Sequence, residues 1–213
     1  MNLRCGRPIG STPTLLHTSP MTSPTYHAVA FSGSLRHGSV NTGLVRLAQR
    51  LSPPELSFEI IDWVDQLPWM NPDLETDPPE TVQRWWAALR GADALIVGMP
   101  EYNGSPTGLA KNALDWATRP PSDRAIQGTV VAFLSAAGRS GGANAQENIG
   151  RLFGYLGATM VDEPPVRLIN VADRFDAEGN TDDPEIIGAI AAKLRAVVDA
   201  LDLSADAPET ADA

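Results

Sequence analysis

The sequence predicts an α/β domain built on a parallel sheet with helices on both faces. Three observations predict it. Short apolar, β-branched runs alternate with segments whose apolar residues recur at helical spacing. The run Asp93–Met99 (DALIVGM) is apolar at nearly every position rather than at alternate ones, as a strand buried on both faces must be. Gly, Ser and Pro interrupt the chain between runs. In sheets of this kind a ligand sits beyond the carboxyl ends of the strands, where strand order reverses. The loops after strands one, three and four are therefore the places to look for function.

The elements follow in order. Tyr26–Phe31 (YHAVAF) reads as the first strand and stops at Ser32-Gly33-Ser34. Leu44, Leu47, Ala48 and Leu51 then mark one face of a helix, which Pro53-Pro54 ends. Ser57–Asp62 is the second strand, and residues 63–79 are irregular and Pro-rich. Val82, Trp85, Trp86 and Leu89 define a helix beginning near Glu80, and Asp93–Met99 is the third strand. Leu109, Ala113, Trp116 and Ala117 define the next helix, and Gly128–Leu134 the fourth strand. Ile149, Leu152, Phe153 and Leu156 follow at helical spacing. The fifth strand falls within Ala158–Ile169, and a long last helix runs from about Ile187 to Leu201. Residues 1–24, rich in Ser, Thr and Pro, read as a disordered extension, and 204–213 as a disordered acidic tail. The domain itself spans 25–203.

Composition excludes several classes. One cysteine and three histidines among 213 residues leave no disulfide framework and no zinc cluster. No apolar run reaches the length of a membrane span. A net charge of −10 argues against non-specific nucleic-acid binding. That charge is uneven: residues 1–54 carry five arginines and no carboxylate, while the remainder sums to −15. An acid-free region around the first strand–helix loop suits an anionic ligand there, although a targeting segment would leave the same signature.

The first loop, Gly33–Asn41 (GSLRHGSVN), places Ser34, Ser39 and Asn41 with Arg36 at a helix amino terminus. Unpaired N–H groups, small donors and one guanidinium fork are what a phosphate needs. An ordinary capped turn also explains the Ser and Asn, but not the Arg. The loop fits neither G-x-G-x-x-G nor the phosphate loop ending in GK[ST]. The second loop, from Pro100 to Gly108, is stiffened by two prolines and carries Tyr102 and Asn103. It suits the edge and face of a flat heteroaromatic ring, or else is a Pro/Gly turn with Tyr102 packed as filler. The third, Ser135–Gly142, is small and Gly-rich, which permits close backbone approach or plain flexibility.

At these residues the sequence resembles the NAD(P)H-dependent FMN reductase family, whose flavodoxin-like relatives reduce quinones, chromate and azo dyes. The matching stretches are GSLRHGSVN at 33–41, PEYNGS at 100–105, KNALDW at 111–116 and GRSGG at 138–142, within a likeness covering about residues 26–200. The resemblance implies a three-layer sandwich with a five-stranded parallel sheet of order 2-1-3-4-5. It implies FMN as cofactor and NADPH or NADH as co-substrate. Ser34, Arg36, Ser39 and Asn41 would hold the phosphate, with Leu35, His37, Gly38 and Val40 completing that loop. Pro100, Glu101, Tyr102, Asn103 and Gly104 would line the isoalloxazine, and Ser135 and Gly138 its edge. It further implies a cytoplasmic homodimer or tetramer that passes electrons to a small-molecule acceptor such as a quinone, a metal oxyanion, an azo compound or free flavin. Two departures stand out. Thr107-Gly108 replaces the family's Pro-Gly, with Pro106 one place early, and Ala136 replaces a residue that is often polar.

No protein residue is expected to be catalytic, because a flavin carries the chemistry and the protein supplies binding and orientation. His37 reads as a solvent-facing loop residue rather than a proton donor. The competing expectation is a flavodoxin-like electron carrier that binds FMN but does not react with nicotinamide. A flavin-free esterase-like protein is disfavoured by the absence of a G-x-S-x-G elbow.

Overall fold

A computed structural model describes residues 25–206. The expectations for 1–24 lie outside the described residues. Strands β1 (Tyr26–Ser32), β2 (Leu56–Ile60), β3 (Ala94–Gly98) and β6 (Val130–Ala137) pair in parallel in the order β2-β1-β3-β6. The register across the centre is Ala30 beside Ile96 beside Ala132. Helices α1 (Val40–Arg50) and α5 (Pro184–Ala205) cover one face; α2 (Glu80–Arg90), α3 (Gly108–Ala117) and α4 (Ala143–Tyr155) cover the other. Side-chain alternation produces the two cores: Ala28, Ala30 and Ile96 pack under α1 and α5, while Val29, Phe31, Leu95 and Val97 pack under the other three. The flavodoxin-like order of the sheet is thus as expected.

Strand and helix ends shift by a residue or two throughout, and three differences from the sequence reading matter here. The fifth strand is two pieces, β7 (Thr159–Met160) and β8 (Val166–Ile169), both pairing with β6. Pro164-Pro165 separates them, since proline has no N–H to continue a ladder. The fourth strand runs on to Ala137, so Ser135 is strand rather than loop. The last helix reaches Ala205, so Ser204 and Ala205 are helical rather than tail.

The tryptophans organise the α2–α3 side. Trp85 Nε1 donates to Ala113 O (2.9 Å) and Trp86 Nε1 to Trp116 O (2.7 Å). Trp116 Nε1 donates to Pro68 O (2.8 Å), and Asn112 bonds Met70 N and Pro68 O, which pins the irregular 63–79 segment onto α3. Trp63 is buried edge-on against Trp85, whereas Trp69 is 73% exposed. Lys193 on α5 is buried at 2% exposure, and its ammonium donates to Val161 O (2.8 Å) and Asp162 O (2.9 Å) where β7 ends. Burial pulls its pKa down to about 8, against a smaller opposing pull from Asp162. No helix among the described residues is long and apolar enough to cross a membrane.

Candidate functional site

The strand order reverses between β1 and β3, and a cleft of about 350 Å³ opens there at the carboxyl ends. That volume lies in the range of small-molecule sites. Its walls come from the three loops read in the sequence, joined by a fourth segment.

The first wall is the turn into α1. Ser39 caps the helix, its Oγ accepting from Thr42 N (3.5 Å). Ser34 Oγ accepts from Arg36 N (3.3 Å) and Ser32 Oγ from Ser34 N (3.2 Å), so the loop's own hydroxyls shape it. Each hydroxyl that accepts still has a proton to donate. Among the described residues no acceptor meets the N–H groups of Val40 and Asn41, and the first turn of α1 carries no acid. The positive end of the helix dipole therefore faces the cleft uncompensated. Arg36 is exposed, with only a 3.5 Å contact to His37 O.

Asn41 plays a different part from the one expected. Its Nδ2 donates to Ala136 O (2.9 Å) and its Oδ1 accepts from Ala136 N (3.0 Å). The amide lines the cleft but serves as a strut between α1 and β6 rather than as a free phosphate donor.

The second wall follows β3. The expected loop is a small hairpin, β4 (Glu101–Tyr102) paired antiparallel with β5 (Ser105–Pro106). Asn103 and Gly104 turn it with φ of 52° and 71°, the two positive values that a type I′ turn demands. They sit at the tip, away from the cleft. Tyr102 lines the cleft and is 67% exposed, so it is not packing filler.

Glu101 is the hub. Its Oε1 accepts from Ser140 Oγ (2.6 Å) and Asn144 Nδ2 (3.1 Å), and its Oε2 from Ala145 N (3.0 Å). The N-cap of α4, Gly142, has no side chain to cap the helix, and Glu101 supplies that function from another loop. Partial burial alone would raise its pKa, but the bonds from Ser140, Ala145 and Asn144 outweigh it and leave the carboxyl below its ordinary value.

The third wall is Ala136, Ala137 and Gly138. Ser135 is fully buried and its Oγ accepts from Gln146 Nε2 (2.7 Å), so it supports the wall from behind rather than lining the cleft. Leu35, His37 and Gly38 likewise stand outside the lining. Leu35 and His37 face solvent, and Gly38 packs so tightly on Ala177 that a Cβ would lie 2.1 Å from its carbonyl oxygen. Ser34, Arg36, Ser39, Val40, Asn41, Pro100, Glu101, Tyr102 and Gly138 do come together.

The fourth segment, Asn170–Ala172, was missed. It follows β8, the continuation of the fifth strand, so the rule that ligands gather at strand carboxyl ends pointed to it. Beyond it, the 176–180 turn is organised by Asp176, which accepts from Asn180 N (2.7 Å) and Glu178 N (3.0 Å), and it closes onto α1.

An open helix amino end and an exposed aromatic facing one cleft at a topological switch point of a doubly wound sheet are features that suit a nucleotide cofactor. Residues 26–173 match the NADPH-dependent FMN reductase family, and the chain belongs to it. It is 40% identical over 175 residues to a probable NADPH:quinone oxidoreductase of Oryza sativa subsp. japonica, covering 78% of this chain and 84% of the relative. It is 37% identical over 171 residues to an NAD(P)H-dependent FMN reductase of Pseudomonas aeruginosa, covering 79% and 91%. Among solved structures it is similar to FerB, a flavoenzyme NAD(P)H:acceptor oxidoreductase of Paracoccus denitrificans, with a TM-score of 0.75, 30% identity, and coverage of 84% of this chain and 98% of that one. The protein is an NAD(P)H-dependent oxidoreductase that uses FMN.

Proposed function

We propose that the cleft between the β1–α1 turn and the β4–β5 hairpin holds FMN, with the phosphate at the amino end of α1 and the ring along Pro100–Tyr102, and that the enzyme reduces quinones. The observation that carries the placement is the unpaired, acid-free start of α1 beside Arg36. Ser34 and Ser39 supply hydroxyl protons there and Arg36 a guanidinium fork. Tyr102 offers the ring an aromatic face, and backbone at Ala136–Gly138 closes on its edge.

Bound FMN supplies two-electron chemistry, taking hydride from reduced nicotinamide and returning electrons to the acceptor. The protein's own contribution is positional. Glu101 stays ionised, tied to α4, and does not act as a proton donor to the ring. Asn41 keeps the phosphate turn and the β6 wall at a fixed spacing. The quinone reading is supported by the quinone oxidoreductases among its relatives, at 40% and 37% identity. A homodimer acting in the cytoplasm, where reduced nicotinamide is produced, completes the reading.

The test is FMN titration of the purified protein, followed by anaerobic addition of NADPH and then a benzoquinone. Expected are a yellow complex, bleaching by NADPH and recovery of colour with quinone. Arg36→Ala should weaken FMN binding about tenfold to a hundredfold, the scale of a hydrogen bond between charged groups. Unchanged affinity in Arg36→Ala would move the phosphate elsewhere.

A further inference from the structure

Fourteen lysines and arginines lie within the described residues. Eleven of them have a partner there. Most donate to a carboxylate, as Arg90 does to Asp123 and Arg195 to Glu55; others donate to an amide or a carbonyl oxygen; Arg84 lies over the Trp63 ring. The remaining three are Arg36, whose one contact is the 3.5 Å approach to His37 O, and Arg124 and Arg139, which have no acceptor among the described residues. Arg124 lies at the amino ends of the strands, away from the cleft. Arg36 lines the cleft, and Arg139 directly follows Gly138, which lines the wall contributed by the loop after β6.

The position of Arg139 is fixed on both sides. Gly138 before it is part of the cleft wall, and Ser140 after it is anchored through its hydroxyl to Glu101 (2.6 Å). The backbone at Arg139 is therefore held beside the Tyr102 hairpin, and its side chain is exposed with no carboxylate partner among the described residues. Residues 55–213 sum to −15, so a polyanionic co-substrate approaches against the field of most of the chain. An uncommitted guanidinium carried by an anchored loop favours an added phosphate, and its planar fork matches one.

We propose that Arg139 recognises the 2′-phosphate of NADPH and sets a preference for NADPH over NADH. The inference rests on the flavin occupying this cleft with its own phosphate at α1, which leaves Arg139 for a second anion. It assigns nicotinamide selectivity to the loop after β6 and excludes Arg119, which pairs with Glu75 (3.6 Å), and the distant Arg124.

The experiment uses FMN-loaded protein, as wild type, Arg139→Ala, Arg139→Lys and Arg124→Ala. Binding of adenosine 2′,5′-bisphosphate and of adenosine 5′-monophosphate is measured by calorimetry, and KM for NADPH and NADH by steady-state kinetics. In Arg139→Ala the bisphosphate should bind about tenfold more weakly and KM for NADPH should rise by a similar factor, one charge-assisted contact. The monophosphate and NADH should shift far less, Arg139→Lys should fall between, and Arg124→Ala should match wild type. Equal losses for both nucleotides would assign Arg139 to a group they share and overturn the proposal, as would no loss for either. Wild-type protein that took up no FMN would remove the cofactor reading underneath it, a failure visible before any variant is compared.

Discussion

The two ends of the sheet each carry a hollow, and the larger one is at the wrong end. At the amino ends of the strands a hollow of about 650 Å³ is walled by Tyr26, Arg90, Asp93, Asp123 and Arg124; the carboxyl-end cleft is about 350 Å³. In the larger hollow the polar groups largely satisfy one another. Arg90 donates to Asp123 (2.8 Å), His27 N to Asp93 (2.7 Å), and the Tyr26 hydroxyl to Asp202 (2.7 Å). In the smaller one, among the described residues, the one carboxylate in the wall, Glu101, is fully engaged, while helix N–H groups and Arg36 are not. Volume therefore does not locate the site. The proposed placement rests instead on donors left without acceptors, in a frame braced by saturated acids and amides.

The brace is where this comparison breaks most easily. Glu101→Ala removes three accepted bonds at once and uncaps α4. Global stability should fall by about 1.5–3 kcal/mol in denaturant titration, and FMN binding should weaken as the hairpin and the β6 wall lose their tie. Glu101→Gln retains one acceptor oxygen and should lose less. The sign with pH follows from the lowered pKa. The stabilisation from Glu101 is complete above the ordinary carboxylate range and is lost as pH falls through the lower folded value. The stability gap between wild type and Glu101→Gln should accordingly be flat near neutrality and close in acid. A gap that widened on acidification would contradict the brace.

Asn41 gives the next largest effect and separates strut from ligand. Asn41→Ala orphans the N–H and C=O of Ala136, a cost of about 1–3 kcal/mol. Asn41→Asp keeps one of the two bonds but adds a negative charge at the start of α1, where a phosphate would sit. Stability should rank Asp above Ala, whereas FMN affinity should rank Ala above Asp. If both properties fell in parallel, Asn41 would be structural alone and the phosphate would lie elsewhere.

These two residues also show what was legible in the sequence and what was not. The alternation of apolar runs and helical periods made the sheet and its layers legible, because strands buried on both faces read as short, β-branched apolar runs bounded by Gly, Ser and Pro. The three loops were legible because Gly, Ser, Pro and Asn interrupt the runs. The hairpin after β3 was not, although Asn103-Gly104 is a type I′ signal, because each of its strands is two residues long and shows no alternation. The roles of Asn41 and Ser135 were not legible either. Both are polar and near the cleft, but the partners that engage them are Ala136, far along the chain, and Gln146 on α4. Lys193 illustrates the same limit, since the carbonyls of Val161 and Asp162 that receive its buried ammonium lie about thirty residues away in the chain.

Tyr102 should give a smaller effect, confined to binding. It is mostly exposed, so Tyr102→Ala should leave the unfolding midpoint unchanged. Its aromatic face, worth about 0.5–1.5 kcal/mol, should appear as a loss of FMN affinity of roughly tenfold or less. A fall in stability without a change in affinity would return Tyr102 to packing and leave the ring without its platform.

The smallest effect belongs to the opposite hollow and is the sharpest control on the comparison. Asp123→Asn removes an exposed ion pair with Arg90, and such pairs contribute about 0–1 kcal/mol. The charge is screened and the Arg90 guanidinium still reaches the Asp123 carbonyl (3.2 Å) and the Trp86 ring, so the local structure has other supports. FMN affinity should not move, because among the described residues the linings of the two hollows share no residue. A variant here that altered FMN binding would mean that the two ends are coupled through the sheet, and unsatisfied donors at α1 would no longer suffice to explain where the cofactor sits.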